Sequence, residues 1–236
     1  MASNKESVLR IDKDFIISDL LERHKNSENI LFLQVGAFDG VSGDPLHEYV
    51  MKHGWRGVLV EPQVKYFEKL KNTYEDREKI DLLNAAIGEK GKSKKIYMID
   101  NPESDDVPEW AGQISSFKRE TIMNHSWAIP DIEKRITSKE VNCFTIMEVI
   151  KKYNMYDIDL VQIDAEGYDD KIVNMIDLDK ISPRVIMFEN IHISENSHNG
   201  ILNMLIDENF KIHVGKKDTV AYKRKKINKK EYLYDS

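Results

Sequence analysis

Apolar residues in this chain fall into short continuous runs separated by stretches of helical spacing, and the two kinds alternate. Ile30-Leu31-Phe32-Leu33-Gln34-Val35 is a run of the kind found in a parallel strand buried on both faces. It ends in Gly36-Ala37-Phe38-Asp39-Gly40. Leu46, Tyr49, Val50 and His53 then recur at helical spacing, with Asp44 placed to cap, Pro45 suited to the first turn and Gly54 to the stop. Next come a strand Val58-Leu59-Val60, the pair Glu61-Pro62, a helix carrying Val64, Phe67, Leu70 and Tyr74, and a strand over Asp81–Ala86. This is βαβαβ, the half of a doubly wound sheet that binds a nucleotide.

From Ile87 to about Glu140 the alternation lapses. Lys94–Ile99 reads as an extra strand, and the segment 101–140 is polar but carries Trp110, Phe117 and Trp127. Insertions of that length between regular units usually serve as lids or binding segments. Order returns with a strand Val141–Phe144 and a helix bearing Ile146, Val149, Ile150 and Tyr153. A strand Leu160–Ile163 then ends in Asp164-Ala165-Glu166-Gly167, with a helix from about Asp169. A strand Val185–Phe188 ends in Glu189-Asn190 and is followed by a helix with Ile201, Leu202, Leu205 and Ile206. Two short strands, Phe210–Val214 and Thr219–Tyr222, close the pattern as a hairpin.

The prediction is an α/β, doubly wound, Rossmann-like fold whose mostly parallel sheet ends in an antiparallel hairpin strand. Ile16, Ile17, Leu20 and Leu21 predict a covering helix within 1–29; 30–223 forms a single domain containing the 101–140 insertion, and 224–236 is a basic polar tail. A chain of 236 residues suits one core.

A formal net charge of −6 argues against a nucleic-acid binder that works by neutralising phosphates. The run of Lys223, Arg224, Lys225, Lys226, Lys229 and Lys230 reads as a solvated terminal charge cluster. The single Cys143 rules out an intramolecular disulfide and reads as a small strand hydrophobe. Met1 to Arg10 holds no apolar signal core, and no segment approaches the roughly 18 apolar residues of a membrane span. A soluble, cytoplasmic protein is the expectation.

In open α/β sheets ligands bind beyond the carboxyl ends of the strands, and those ends are polar here. The loop Gly36-Ala37-Phe38-Asp39-Gly40 lacks the middle glycine that lets backbone approach a pyrophosphate in G-x-G-x-x-G, so it suits a nucleoside carrying an amino acid better than NAD. The following helix N-terminus would offer free amides. Glu61, about 20 residues on, sits where a carboxylate accepts both ribose hydroxyls, with Pro62 beside it. Small Ala85 and Ala86 leave room for a flat base. Asp164 and Glu166 place two carboxylates in the crevice, able to orient an acceptor, take its proton or bind a metal. Asp164, Glu189 and Asn190 make an all-oxygen set fit for magnesium, and His192 is a candidate base.

Leu33-Gln34-Val35-Gly36-Ala37-Phe38-Asp39-Gly40, Gly54-Trp55-Arg56-Gly57-Val58-Leu59-Val60-Glu61-Pro62, Asn84-Ala85-Ala86-Ile87-Gly88 and Ile163-Asp164-Ala165-Glu166-Gly167-Tyr168 together resemble the FkbM-type methyltransferase family, over about Ile30 to Phe188. The resemblance implies a class I methyltransferase fold, S-adenosylmethionine as donor, and O-methylation of a sugar, glycan or natural-product hydroxyl. It implies that the glycine loop and Glu61 hold the cofactor, and that Ser115-Ser116-Phe117 lies near the active site. Gln34 stands where an acid is common, which keeps a hydrogen bond to the methionyl part but loses charge attraction to its ammonium. Asp164, Glu189 and Asn190 are also similar in position to the metal ligands of catechol-type methyltransferases, an analogy of fold. Asp164, Glu166 and His192 are the catalytic candidates. The competing readings are a non-catalytic nucleotide- or glycan-binding module and, on a similar sheet, a nicotinamide-dependent oxidoreductase.

Overall fold

The computed structural model describes residues 29–91 and 93–223. The expected helix around Ile16–Leu21 and the tail from Arg224 lie outside the described residues.

Strand β1 (Leu31–Val35) is followed by α1 (His47–His53), β2 (Arg56–Val60), α2 (Val64–Thr73) and β3 (Ile80–Leu83). Then come β4 (Ala86–Ile87), β5 (Ser93–Ile99), a 3-10 turn at Glu109–Gly112, β6 (Ser115–Ser116), α3 (Arg119–Met123) and α4 (Ile132–Arg135). The remainder runs β7 (Ile136–Phe144), α5 (Ile146–Lys152), β8 (Leu160–Ile163), α6 (Asp169–Asn174), β9 (Val185–Glu189), α7 (Glu195–Asp207), β10 (Lys211–Val214) and β11 (Asp218–Tyr222).

The central sheet has the order β10-β11-β9-β8-β1-β2-β3. Strands β3, β2, β1, β8 and β9 are parallel, while β11 runs antiparallel against β9 and β10 against β11. This is the predicted doubly wound sheet with its terminal hairpin. Chain order reverses between β1 and β8, so a crevice opens there at the strands' carboxyl ends.

Because side chains alternate along a strand, each face has its own core. Leu31, Leu33 and Val35 join Val161, Ile163, Ile186 and Phe188 under Ile146, Val149, Ile201 and Leu205. Ile30 and Phe32 join Leu59, Trp55, Leu46, Val50, Leu70 and Tyr74 on the other face. Gln34 and Gln162 are directly paired in register between β1 and β8, so two amides stand side by side where an apolar pair would ordinarily sit.

The structure corrects the sequence expectations at four places. The strand expected over Asp81–Ala86 breaks at Asn84, whose side-chain amide donates to the Glu61 and Pro62 carbonyls at 2.8 and 3.3 Å. Beyond the break, Ala86 and Ile87 pair with Cys143 and Phe144 in a second sheet, ordered β4-β7-β5-β6. Helix α2 buries Tyr66 and Leu70, while Val64 is exposed. Tyr66 turns inward because Gly112 has no side chain: a Cβ there would meet the Tyr66 hydroxyl at 1.8 Å.

Strand β7 begins at Ile136 rather than Val141, since the polar residues 136–140 are held by antiparallel pairing with β5 along its whole length. The insertion therefore closes at Arg135. Nor is it irregular, for Ile99, Ala111, Ile114, Ile122, Ile129 and Ile132 form a third core inside it. Among the described residues no helix is long and apolar enough to cross a membrane.

Candidate active site

A cleft opens at the reversal point, beyond the carboxyl ends of the strands. Its walls include the expected Gln34, Gly36, Ala37, Phe38, Glu61, Pro62, Ala85, Ala86, Asp164 and Glu166. Asp44, Gln113, Ser115, Ser116, Phe117 and Gln162 complete it.

The loops after β1 and β2 are tied down by backbone. The amides of Gly36 and Ala37 both donate to the Val60 carbonyl, at 3.0 and 3.1 Å. Gly36 has φ +79°, and a Cβ on it would stand 1.9 Å from the Asp164 carbonyl oxygen, so only glycine lets the loop pass between β2 and β8. Glu61 is 3% exposed, and its two carboxylate oxygens accept from Phe38 N (2.9 Å) and Gln63 N (2.7 Å). Each oxygen keeps a further lone pair for a ligand. Burial, reinforced by Asp39 and opposed by those two amides, pushes the Glu61 carboxyl up to about 7.

Two expected cofactor contacts fall outside the cleft wall. Asp39 turns away and accepts from Val41 N, Ser42 N and Ser42 Oγ, while Gly40 packs beneath Leu70 and Tyr74. Both shape the loop. The first amides of α1 are not free for a ligand either: Asp44 Oδ1 accepts from Leu46 N and His47 N at 2.7 and 3.2 Å. Asp44 Oδ2, Gln34 Oε1 and Gln162 Oε1 are instead buried without a hydrogen-bond partner among the described residues. Sequence reasoning gave Asp44 only its capping role. Its second oxygen adds a carboxylate to the cleft beside Gln34, and burial raises its proton affinity.

The turns after β8 and β9 bring together a knot of acids. Glu166 (φ +47°) and Gly167 (φ +87°) are successive left-handed residues that lift the turn after β8. Asp169 secures that turn by accepting from Ala165 N and Gly167 N, both at 3.2 Å. Ser116 Oγ donates to the Glu166 carbonyl at 2.7 Å, and Lys118 Nζ to that of Gly167 at 3.0 Å, so the Ser115-Ser116-Phe117 segment braces the turn.

Asp164, Glu166 and Glu189 converge so that one ligand atom from each lies within 4.8 Å of the others. Asp164 opens onto the cleft but is enclosed by protein on its other sides. That enclosure, then the charges of Glu166 and Asp169, hold its carboxyl well above the usual range. Burial, then Asp164 and Glu166, push Glu189 up to about 9. No lysine or arginine among the described residues pairs with any of the three. His192 Nε2 lies 3.3 Å from Glu166 Oε2 and 4.0 Å from Glu189 Oε2.

Asn190 is drawn elsewhere: its side-chain amide donates to Thr219 Oγ1 (3.1 Å) and the Gly215 carbonyl (3.4 Å), holding the β10–β11 turn. The third acid beside Asp164 and Glu189 is thus Glu166, in place of the expected Asn190.

His125 also reaches this knot, from the segment after α3, its ring centroid 5.7 Å from that of His192. It stands below Trp110 (5.4 Å), and Trp127, 80% exposed, lies 6.3 Å beyond Trp110. Sequence reasoning missed His125, because nothing local distinguishes it from other polar residues of the insertion.

The sequence profile of the methyltransferase FkbM domain matches residues 34–212. This chain belongs to the FkbM methyltransferase family. Membership makes it a methyltransferase of an S-adenosylmethionine-dependent family, and the match takes in every cleft residue named above. Solved structures with a similar fold include a METTL16 MTase domain, 12% identical over 91% of this chain and 67% of that one, with a TM-score of 0.51. A methyltransferase FkbM from Methylobacillus flagellatus KT is 14% identical over 83% of this chain and 44% of its own, TM-score 0.49. The N-terminal domain of human METTL16 in complex with SAH is 10% identical over 90% of this chain and 68% of that one, TM-score 0.47. At these identities the likeness concerns the fold alone. No curated protein matches the chain.

Proposed function

We propose that this FkbM-family chain methylates a hydroxyl oxygen of a sugar or glycan, with S-adenosylmethionine held in the cleft by Gln34, Asp44, Glu61 and the Gly36–Phe38 loop. The residues fit such a donor. Unpaired oxygens of Gln34 and Asp44 suit an ammonium, Glu61 keeps acceptor capacity for ribose, and Ala85 and Ala86 leave a flat slot beside Pro62. When bound, the donor supplies a methyl on a sulfonium, which becomes a neutral thioether as the new O–C bond forms.

The protein's own task is to orient the acceptor oxygen and take its proton. Orientation alone accounts for several kcal/mol of a barrier, and a placed base for about a hundredfold or more. Asp164, Glu166 and His192 converge where that proton is lost.

The observation that favours a carbohydrate is the aromatic pair of Trp110 and Trp127. An 80% exposed Trp127 beside Trp110, next to His125 and the acids, is a stacking platform for a sugar face. The chain's formal net charge of −6 speaks against a nucleic-acid acceptor held through its phosphates.

The test is release of S-adenosylhomocysteine from S-adenosylmethionine across a panel of hydroxylated sugars, with product linkage read by NMR. Methyl ether formation lost in Glu166→Gln or His192→Ala variants that still bind donor is the expected result. Donor turnover on amines or nucleic acid instead would overturn the acceptor reading.

A further inference from the structure

We propose that His125, Glu166 and His192 form a binding site for a single first-row transition-metal dication such as Zn2+, clasping the insertion to the central sheet. The three residues come from three segments: the turn after α3, the turn after β8 and the loop after β9. One ligand atom from each lies within 4.8 Å of the other two. Nitrogen and oxygen ligands about 2.1 Å from one ion stand roughly 3.0–3.4 Å apart. The His192 Nε2 to Glu166 Oε2 separation of 3.3 Å is already in that range.

Hydrogen bonding does not account for the arrangement. His125 Nδ1, Glu166 Oε2 and Glu189 Oε2 are all buried without a hydrogen-bond partner among the described residues, and the close Glu166–His192 approach is not in hydrogen-bond alignment. Buried polar atoms seldom stay unpaired, so a missing partner at the centre is the economical explanation.

The surroundings are built for close approach. A Cβ on Gly167 would stand 3.2 Å from both His192 Cβ and Thr121 Oγ1, so glycine lets the turn, the His192 loop and α3 meet. Ser116 and Lys118 hold the backbone carbonyls of Glu166 and Gly167.

Chemistry selects the ion. Two imidazoles and one carboxylate favour zinc, cobalt, nickel or iron(II) over magnesium or calcium, which prefer all-oxygen shells. Asp164 and Glu189 lie next to the set, and an ion there would offset the charge that they crowd together. The role that follows rests on the methyl-transfer reading: an acceptor hydroxyl on the ion becomes more acidic, Asp164 takes its proton, and His192 serves as ligand rather than base.

Binding itself can be read without activity. Chelator-stripped protein is titrated with Co2+, watching its visible d–d absorption, and with Zn2+ by calorimetry, for wild type, His125→Ala and His192→Asn. One equivalent should bind, with each variant weakened roughly 100-fold, and millimolar Mg2+ should not compete. Zn2+ should raise the melting temperature of wild type but of neither variant, while all three melt alike in EDTA. Absence of the cobalt band, or wild-type affinity in both variants, would overturn the site. S-adenosylmethionine titration in EDTA separates the two readings: donor binding without metal binding sinks this inference and leaves methyl transfer standing. Metal binding without donor binding does the reverse.

Discussion

The two halves of the cleft differ in how their acidic groups are held. On the donor side, Glu61, the Gly36 and Ala37 amides and Asp39 all have partners, and the loop between β1 and α1 is held at each turn. On the acceptor side, Asp164, Glu166 and Glu189 face one another with no lysine or arginine among the described residues paired to them. The first half has its backbone fixed before a ligand arrives, with the Gln34 and Asp44 oxygens left open to receive it. The second carries electrostatic stress that a proton, a cation or a substrate must relieve. A binding surface can therefore be preorganised in one half and reactive in the other, within one cleft.

The comparison is broken most severely by Gly36→Ala. With φ +79° and a Cβ 1.9 Å from the Asp164 carbonyl, the loop must pull away from β8. A loss of about 4 kcal/mol, or roughly 10 °C in melting temperature, is expected by calorimetry. Glu61→Ala removes the acceptor for two backbone amides and for the ribose, so S-adenosylmethionine should bind about 100-fold more weakly by isothermal titration.

A third test uses pH. The Glu61 carboxyl is raised to about 7 in the folded protein, so between about 4.5 and 7 the native state binds more protons than the unfolded chain. Stability should therefore fall as pH rises through that window, by on the order of 2 kcal/mol, while donor affinity should rise as the carboxylate forms. Urea melts and calorimetry at pH 5 and pH 8 check both signs; Glu61→Gln should flatten the slope of donor affinity and make the stability slope shallower, leaving the part that Asp164 and Glu189 contribute.

On the acceptor side, Trp127→Ala should raise the KM for acceptor about tenfold with kcat nearly unchanged, since a stacking platform binds substrate and transition state alike. The smallest effect is reserved for Asp39→Asn. It keeps an oxygen for the Val41 and Ser42 amides and touches no ligand, so donor affinity should stay within about twofold of wild type. A large loss would return Asp39 to the cofactor's contacts.

Much of the donor half was legible in the sequence. Continuous apolar runs such as Leu160–Ile163 mark strands buried on both faces, and the residue that ends each run, Gly36, Glu61 or Asp164, must then stand at the crevice. Long-range geometry was not legible. Nothing local to His125 announces His192, because their meeting depends on how the insertion docks. Tyr66 rather than Val64 faces inward because of Gly112, nearly fifty residues away. Asn190 has the right chemistry for a metal and the right strand, yet the direction of its side chain is set by Thr219 and Gly215 across the hairpin. Strand β7 was underestimated because residues 136–140 owe their extension to β5, not to an apolar pattern.

The neck of the insertion has a consequence for how such proteins can diversify. Ile99 and Ile136 stand opposite each other at the ends of β5 and β7, so the 36 residues between them leave and re-enter the scaffold at one point. They also carry a core of their own. A graft of different length between those two isoleucines would strain no strand of the main sheet, its penalty growing only slowly with length. The segment is thus a single contiguous cassette, and any exchanged one would have to supply again the braces that Ser116 and Lys118 give the turn after β8.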